Sequence, residues 1–447
     1  MGDRPAERAP SEGSATYDWV PTRALRRALG LLLVLLILAV ALGQLELVVF
    51  AVPLALGTAW ALVRRPHALP TVELDLPVEI TSEGAELDGR IVVDNPEPAD
   101  LTAVWVHTRR SPALRFTSGT GSYVTQVYGT SAADVLLQGR ALRWGRQQIG
   151  PVEVRAHACD GLVRSRLIRV PAKTIRVYPA THPFEASDAM PKAAGIAGTH
   201  RSRRPGEGGE LAGVRPYQPG DRLRRVDWRV SLRNRELYVN ATMSDRDAEV
   251  VLVLDVLHEA GESTGVAGTA SVLDTAVRAA AGIAEHYLHR GDRVSALEFG
   301  PTLRHLRAAT GHRHYLTALE WLLDVRVLPS GVAPGARLLS PRLLPANALV
   351  LFLTPLLDER SATMLAQLAR TGRFVLAVDT LPESARPART SAWTDLAYRL
   401  WRLDRENLIG RLREVGVPVV AWAGAGSLDE VLRDVTRMAA APRAVLR

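Results

Sequence analysis

From Ala28 to Val63 the only charged side chain is Glu46, and no other feature restricts the architecture of this chain as strongly. A hydrocarbon core about 30 Å thick takes roughly 20 helical residues. The run therefore divides into two short spans, Ala28 to Leu42 and Leu47 to Val63, turning near Gly43, Gln44 and Glu46. Arg23, Arg26 and Arg27 precede it, Arg64 and Arg65 follow it, and the turn holds no basic residue. Basic residues concentrate on the cytoplasmic side, so a hairpin with both ends in the cytoplasm is expected. Two other readings fit the same residues. A signal peptide would end near Ala41-Leu42-Gly43, although the second apolar run, itself followed by arginines, speaks against simple secretion. A single tilted span, interrupted at Pro53 and Gly57, would instead leave the bulk of the chain outside.

The remaining sequence is long enough for two or three soluble domains in a chain of 447 residues, and its 47% apolar content supports packed cores. One cysteine, Cys159, rules out an internal disulfide and favours a reducing compartment. Lys and Arg outnumber Asp and Glu by 55 to 47, a net charge of +8. Partners carrying negative charge follow from that balance: anionic lipid, nucleic acid or an acidic protein face.

Residues 1–27, rich in Pro, Ser, Gly and Ala at their start, read as a disordered cytoplasmic tail ahead of the hairpin at 28–63. Residues 71–180 show short alternating runs: Val72 to Ile80, Gly89 to Val93, Leu101 to Thr108, Tyr123 to Tyr128 and Val152 to His157. Turn signals separate them at Asp94-Asn95-Pro96 and Asp160-Gly161, which predicts an antiparallel β-sandwich. Residues 181–209 lack a sustained period and read as a linker or mobile loop. From 249 to 447 the pattern becomes α/β, with strands at Glu249 to Asp255, Arg293 to Phe299, Ala348 to Thr354, Phe374 to Asp379 and Val417 to Trp422. Helices are expected at Ser271 to His289, across Leu316 to Leu323, and at the C-terminus. Continuous Val, Leu and Ala strands between helices predict a mainly parallel sheet covered on both faces. Ligands bind such sheets beyond the strands' carboxyl ends, which directs attention to Asp255 through Glu259, Gly300, Thr354 and Asp379.

Between these regions, residues 210–248 hold Arg215, Tyr217, Gly220, Asp221, Arg225, Asp227, Trp228, Ser231, Arg233 and Tyr238. Pro219-Gly220-Asp221 is a turn, and carboxylates among arginines can fix a loop through ionic hydrogen bonds. The plain use of such a cluster is a joint between domains. Ten arginines fall between Arg201 and Arg235. They would attract nucleic acid or anionic lipid, but no nucleic-acid recognition fold accompanies them, and salt bridging within the joint is the simpler expectation.

This stretch resembles the signature of a bacterial family, number fifty-eight in the domain-of-unknown-function series. The family pattern runs R-x-Y-x-x-G-D-x-x-R-x-I-x-W-x-x-S-A-R and then L-Y-V. Arg215, Tyr217, Gly220, Asp221, Arg224 or Arg225, Val226, Trp228, Ser231, Arg233, Leu237 and Tyr238 match it, and Leu232 stands where alanine is usual. Trp144 to Pro151 resembles the family's R-G-x-Y-x-L-G-P strand pair, and Asp160-Gly161-Leu162 its D-P-F-G-L turn with two residues missing. The resemblance implies a fold class of α/β plus all-β: an N-terminal transmembrane helical hairpin, a β-sandwich-like domain, then a von Willebrand factor A-like (Rossmann-like) α/β domain. It also implies a partner, a MoxR-type AAA+ ATPase encoded alongside, often with a transglutaminase-like membrane protein, and chaperone-like work in assembly.

Domains of that fold often hold Mg²⁺ through a D-x-S-x-S loop after the first strand, a later Thr and a later Asp. Here Asp255 is kept, Leu257 and Glu259 occupy the serine positions, and Thr354-Pro355 stands where a Ser-Asp pair is expected. A hard cation needs several oxygen ligands, so no metal is expected, with Asp255, Glu259 and Thr354 as the residual candidates. His286 and His289 share a helical face and His312 and His314 open the next helix, but no cysteine or carboxylate set joins them as a zinc site would require. Neither a phosphate-binding loop, nor a nucleophile elbow, nor a zinc-protease motif occurs, and no catalytic residues are assigned. The expectation is a non-enzymatic interaction scaffold at the membrane. The alternatives are lipid or nucleic-acid binding through the arginines, and hydrolysis by Asp255, Glu259 and Asp379 acting together.

Overall fold

The computed structural model describes residues 18–117, 121–181, 205–218, 226–243, 249–266, 268–328, 340, 342–345, 348–382, 385–386 and 391–422. They form two compact units, one from residues up to Leu142 with Arg146–Val177, the other from Arg143–Gly145 with Tyr178 onward. The C-terminal helix expected after Trp422 lies outside the described residues, as does most of the linker.

The first unit opens with strand β1 (Trp19–Pro21) and two helices, α1 (Arg23–Leu42) and α2 (Glu46–Val63). Thr22 caps α1 by accepting from the Leu25 amide, and Gly43, at φ 67°, ends it. Residues 18–27, expected in a structureless tail, are ordered. Trp19 and Leu25 are buried in the β-core, and β1 pairs antiparallel with β10 (Val163–Ser165). Apolar anchors on both sides of the Thr22 cap thus draw the helix start back from Ala28 to Arg23. Pro53 and Gly57 lie inside one continuous helix rather than interrupting it. At 1.5 Å per residue the two helices measure about 30 and 27 Å, long and apolar enough to cross a membrane. Their Leu, Val, Ile and Phe side chains face outward, Val40 being 86% exposed.

Behind the helices lie β2 (Thr71–Asp75), β3 (Ile80–Ser82), β4 (Glu86–Asp94), β5 (Leu101–Arg110), β6 (Leu114–Phe116), β7 (Ser122–Val127), β8 (Ala132–Ala141), β9 (Gly145–Ala158), β11 (Ile168–Val170) and β12 (Lys173–Tyr178). A four-stranded sheet runs β2-β4-β8-β6, and an eight-stranded sheet is organised around β9. Alternating residues from both, such as Ile91, Val93, Val104, Val106, Val152 and Val154, share one core, as in a sandwich. The single strand expected over Val72 to Ile80 is two strands in different sheets, because Pro77 has no N–H for a ladder. Strand β8, not singled out in the sequence, pairs along the whole of β4. The Asp94-Asn95-Pro96 turn is closed by the buried Asn95 amide, which donates to the carbonyls of Ala99 and Tyr128.

The second unit opens with a two-stranded ribbon, β13 (Pro205–Pro216) and β14 (Tyr238–Met243), flanking the short helix α3 (Trp228–Asn234). Then follow β15 (Glu249–Asp255), α4 (Val272–His289), β16 (Arg293–Phe299), β17 (His305–Ala309), α5 (His312–Leu322), β18 (Leu349–Thr354), α6 (Glu359–Arg370), β19 (Phe374–Asp379), α7 (Thr394–Glu414) and β20 (Val419–Ala421). The sheet order is β17-β16-β15-β18-β19-β20, parallel except for the antiparallel edge strand β17. Val250, Leu252 and Leu254 pack against α4 on one face, and Val251 and Val253 pack with α6 residues on the other. The continuous apolar strands of the sequence are thus buried on both sides. The chain reverses its direction of strand addition between β15 and β18, which places a switch-point crevice at their carboxyl ends.

Helix α4 starts in a full capping box: the Ser271 hydroxyl accepts from the Asp274 amide, and the Asp274 carboxylate accepts from the Ser271 amide. Ser271→Ala is expected to cost this unit about 1 kcal/mol in equilibrium denaturation. A loss indistinguishable from zero would show that the Asp274 contacts hold the helix start alone.

Candidate functional site

Asp255 ends β15 at the switch point and is 2% exposed. Its Oδ2 accepts hydrogen bonds from the Thr354 and Ser361 hydroxyls, each at 2.6 Å, and its Oδ1 accepts from the Leu257 amide at 3.1 Å. Thr354 arrives from the end of β18. Ser361 arrives from the first turn of α6, swung into place by the Thr354-Pro355-Leu356 turn, where Leu356 takes a left-handed φ of 52°. Burial pushes the Asp255 carboxyl up, opposed by the Ser361 and Thr354 hydroxyls and the Leu257 amide. The carboxylate that would hold a metal in a D-x-S-x-S loop is thus enclosed by direct protein donors.

The nearby acid Asp358 does not add a free ligand. Arg360 contacts its Oδ2 at 2.6 Å, and His258 Nε2 lies 2.8 Å from the same oxygen. The Arg360 hydrogen bonds hold its carboxyl well below the usual carboxylate range. Arg360 thus occupies the Asp358 carboxylate, while the oxygens of Asp255, Thr354 and Ser361 are hydrogen-bonded to one another. Among the described residues no group of three or more His, Cys, Asp or Glu side chains is placed to hold a metal.

The other candidates have partners of their own, Asp379 standing in register with Thr354. Glu259 accepts from the Leu273 amide at 3.1 Å and faces Arg143 at 3.9 Å. Burial raises its carboxyl, against the Leu273 amide. Next to it the buried Asp274 accepts from Arg143 at 2.7 Å and from the Trp144 indole at 3.1 Å. Asp379, ending β19, is bound by Arg405 at 2.6 Å, and the same guanidinium donates to the Pro355 carbonyl. Asp255, Glu259 and Asp379 thus each take different donors. Ser361, Arg405 and Arg143 were not found by sequence reasoning, and Trp144 was noted only as the start of the family's strand pair; a signal that could have found Ser361 is Asp358, the N-cap three residues before it.

The histidines are likewise dispersed. His314 is buried against the Val294 carbonyl at 2.8 Å, and His289 Nδ1 lies 2.9 Å from the Glu285 carbonyl of its own helix. His289 and His312 approach ring to ring at 6.2 Å, without a carboxylate between them.

In the signature segment, Gly220, Asp221 and Arg225 lie outside the described residues. The remainder forms a corner. Asp227 caps α3 by accepting from the Arg229 and Val230 amides, and buried Ser231 donates to the Asp227 carbonyl and accepts from the Tyr238 amide. Tyr217 donates its amide to the Leu237 carbonyl. Arg215 donates to the Pro216 carbonyl. Arg229, Arg233 and Arg235 are exposed, and no ion pair joins them to another described residue; the other arginines of the expected joint, except Arg215, lie outside the described residues. Trp228, 61% exposed, and Leu232, one turn later, present apolar surface instead.

A concave site of about 470 Å³ opens at the carboxyl edge of the sheet. Ala260, Leu357 and Leu381, from the loops after β15, β18 and β19, form its floor, and Trp393, Tyr398 and Trp401 form its wall. Tyr398 and Trp401 stack at 5.6 Å, and the Arg386 guanidinium lies 5.1 Å from the Tyr398 ring.

Residues 213–384 match the family model described as "Protein of unknown function DUF58". Uncharacterized proteins of Mycobacterium bovis and Mycobacterium tuberculosis are 36% identical to this chain over 138 residues, which cover 31% of this chain and 43% of each relative. The match thus spans less than half the length of these curated relatives. Similar solved structures include a complex of zinc 2-glycoprotein with prolactin inducible protein from human seminal plasma, at 11% identity and a TM-score of 0.19, covering 25% of this chain and 99% of that one. Another is a non-cellulosomal cohesin from Archaeoglobus fulgidus, at 10% identity and a TM-score of 0.16, covering 24% and 91%. At these TM-scores they specify neither a fold family nor an activity. The similarity to this family lies within residues 213–384.

Proposed function

We propose that this chain is a membrane-tethered, non-enzymatic scaffold whose second unit is a von Willebrand factor A-like domain that binds protein partners without a divalent ion. The observation carrying this reading is the closed Asp255 network: the carboxylate is buried and takes hydrogen bonds from the Thr354 and Ser361 hydroxyls and the Leu257 amide. The 3-2-1-4-5-6 strand order with one antiparallel edge supports the domain type. The tether is the α1–α2 pair. Its two ends meet on the same side, because Arg65 donates to the Trp19 carbonyl at 2.6 Å and the Trp19 indole to the Ala68 carbonyl at 3.1 Å. The arginines at those ends favour the cytoplasmic side for both. From there the family resemblance offers a MoxR-type AAA+ ATPase as the partner, in assembly or maturation of envelope complexes.

Calorimetric titration of the full chain in nanodiscs with Mg²⁺ and Mn²⁺ is expected to give no saturable heat. Saturable one-to-one binding abolished by Asp255→Asn would overturn the metal-free reading. Co-purification with the ATPase encoded beside it, in ATP or ADP, tests the partner; no association in either nucleotide would remove it.

A further inference from the structure

We propose that the carboxyl-edge cavity is a binding site for a small planar aromatic acid, which lies against the rings of the wall and turns its carboxylate toward Arg386. The site is independent of the scaffold reading and needs no protein partner. Helix α7 builds it with one face: Ala397, Tyr398, Trp401, Arg405, Leu408 and Leu412 follow at intervals of one, three, four, three and four, which puts them on a single side. In the C-terminal half of the helix that side is seated, with Leu412 buried and Leu408 packed against the same core. Arg405 closes the seat by donating to the Pro355 carbonyl and pairing with Asp379 at 2.6 Å. Toward the N-terminus the same side, together with Ala260, Leu357 and Leu381 from the loops after β15, β18 and β19, bounds the cavity of about 470 Å³. Leu396, Leu400 and Leu403 form an exposed stripe on the opposite side of α7 and take no part in it.

The chemistry of the lining selects the ligand. Cavities of about 300–1,000 Å³ beyond the carboxyl ends of parallel strands are where α/β sheets take small molecules. Tyr398 and Trp401 stack at 5.6 Å with 28° between their planes, and Trp393 adds a third ring, so the wall consists of flat π-surfaces rather than the branched aliphatic lining that suits an acyl chain. A planar ligand extends such a stack through offset or edge contacts. Polarity is gathered at one end. The Tyr398 hydroxyl donates to the Ala385 carbonyl at 3.2 Å, and the Arg386 Nη1 donates to that hydroxyl and that carbonyl at 3.0 and 3.1 Å, which holds the guanidinium 5.1 Å from the Tyr398 ring. Among the described lining residues Arg386 is the only charged side chain. Its sign repels a cationic ligand, while a carboxylate matches the guanidinium in charge and in planar geometry.

The test is calorimetric titration of the full chain in phosphatidylcholine nanodiscs, with empty nanodiscs as the blank. The probes are naphthoate, the neutral naphthylmethanol, the cationic naphthylmethylamine and the flexible acid decanoate. Naphthoate is expected to bind one-to-one with a dissociation constant between about 10 μM and 1 mM, and the other three at least about tenfold more weakly. Arg386→Gln is expected to weaken naphthoate by about tenfold and to leave naphthylmethanol unchanged, a split that a loss of folding does not produce. Ala397→Trp, at an exposed position on the cavity side of α7, is expected to abolish binding of both by filling the space, with an unchanged thermal transition as the folding check. Naphthoate binding that survives Ala397→Trp would put the ligand elsewhere, and decanoate binding as tightly as naphthoate would make the site one for acyl chains. Tighter binding of the amine, or no saturable heat beyond the blank, would equally overturn the proposal. A co-purifying partner lost from the Ala397→Trp chain, with no acid bound by the wild type, would give the cavity to a protein side chain and leave the scaffold reading standing. Naphthoate binding with no co-purifying partner does the reverse.

Discussion

Asp255→Ala is expected to destabilise the second unit by about 3–5 kcal/mol, the range for removing one partner from a buried polar network. Three donors lose their acceptor at once: the Thr354 and Ser361 hydroxyls and the Leu257 amide, with Thr354 and Ser361 fully buried. No water shell is at hand for them, and each orphan costs about 1–3 kcal/mol. Hydrogen exchange of the β15 and β18 amides, or thermal unfolding, reads the loss. A change below about 1 kcal/mol would mean that the edge rearranges and the network is not what holds these loops. Because burial raises the Asp255 carboxyl, Asp255→Asn is expected to be milder, most of all at neutral pH. Ser361→Ala added to Asp255→Ala should cost less than Ser361→Ala alone, since its acceptor is already gone.

Glu298→Gln is expected to change the pH dependence of stability more than its value at low pH. Glu298 sits in β16 at 3% exposure, and burial pushes its carboxyl up from 4.5 to about 7 against the pull of Arg304, 2.6 Å away. The folded state therefore holds the proton more tightly than the unfolded chain. The stabilisation from that proton is complete below about pH 4.5 and is lost as pH rises through about 7. At about 1.4 kcal/mol per pH unit the full span is about 3 kcal/mol. Thermal melts from pH 4 to 8 should show the wild type losing stability relative to Glu298→Gln across that window. Parallel curves would show that the Arg304 pair keeps Glu298 ionised throughout.

Much of the second unit is readable in the sequence because its strands are continuous apolar runs, and Asp255 is found by asking which carboxylate ends the first of them. Its surroundings are not readable in the same way. Ser361 lies 106 residues further on and is brought back by a left-handed turn at Leu356, which no composition signal marks. Arg143 and Trp144 reach Asp274 from about 130 residues away. Strand β1 is three residues following a stretch of disordered composition, and only its pairing with β10 gives it a conformation. The exposed stripe of α7 was invisible for another reason: an apolar periodicity says that a helix has a face to cover, not whether its own chain covers it.

The stitching of α1 and α2 to the sandwich bears on mechanics. Thr22 donates its amide to the Leu162 carbonyl, Arg65 donates to the Trp19 carbonyl while the Trp19 indole donates to that of Ala68, and Leu25 lies in the core, so strand passes into helix with no intervening linker. A leash of that length would let the sandwich wander; this arrangement is a post. With the helix pair in a bilayer, a tilt or pull applied to the sandwich would be passed to it as torque, and a reorientation of the helices would be passed back to the sandwich.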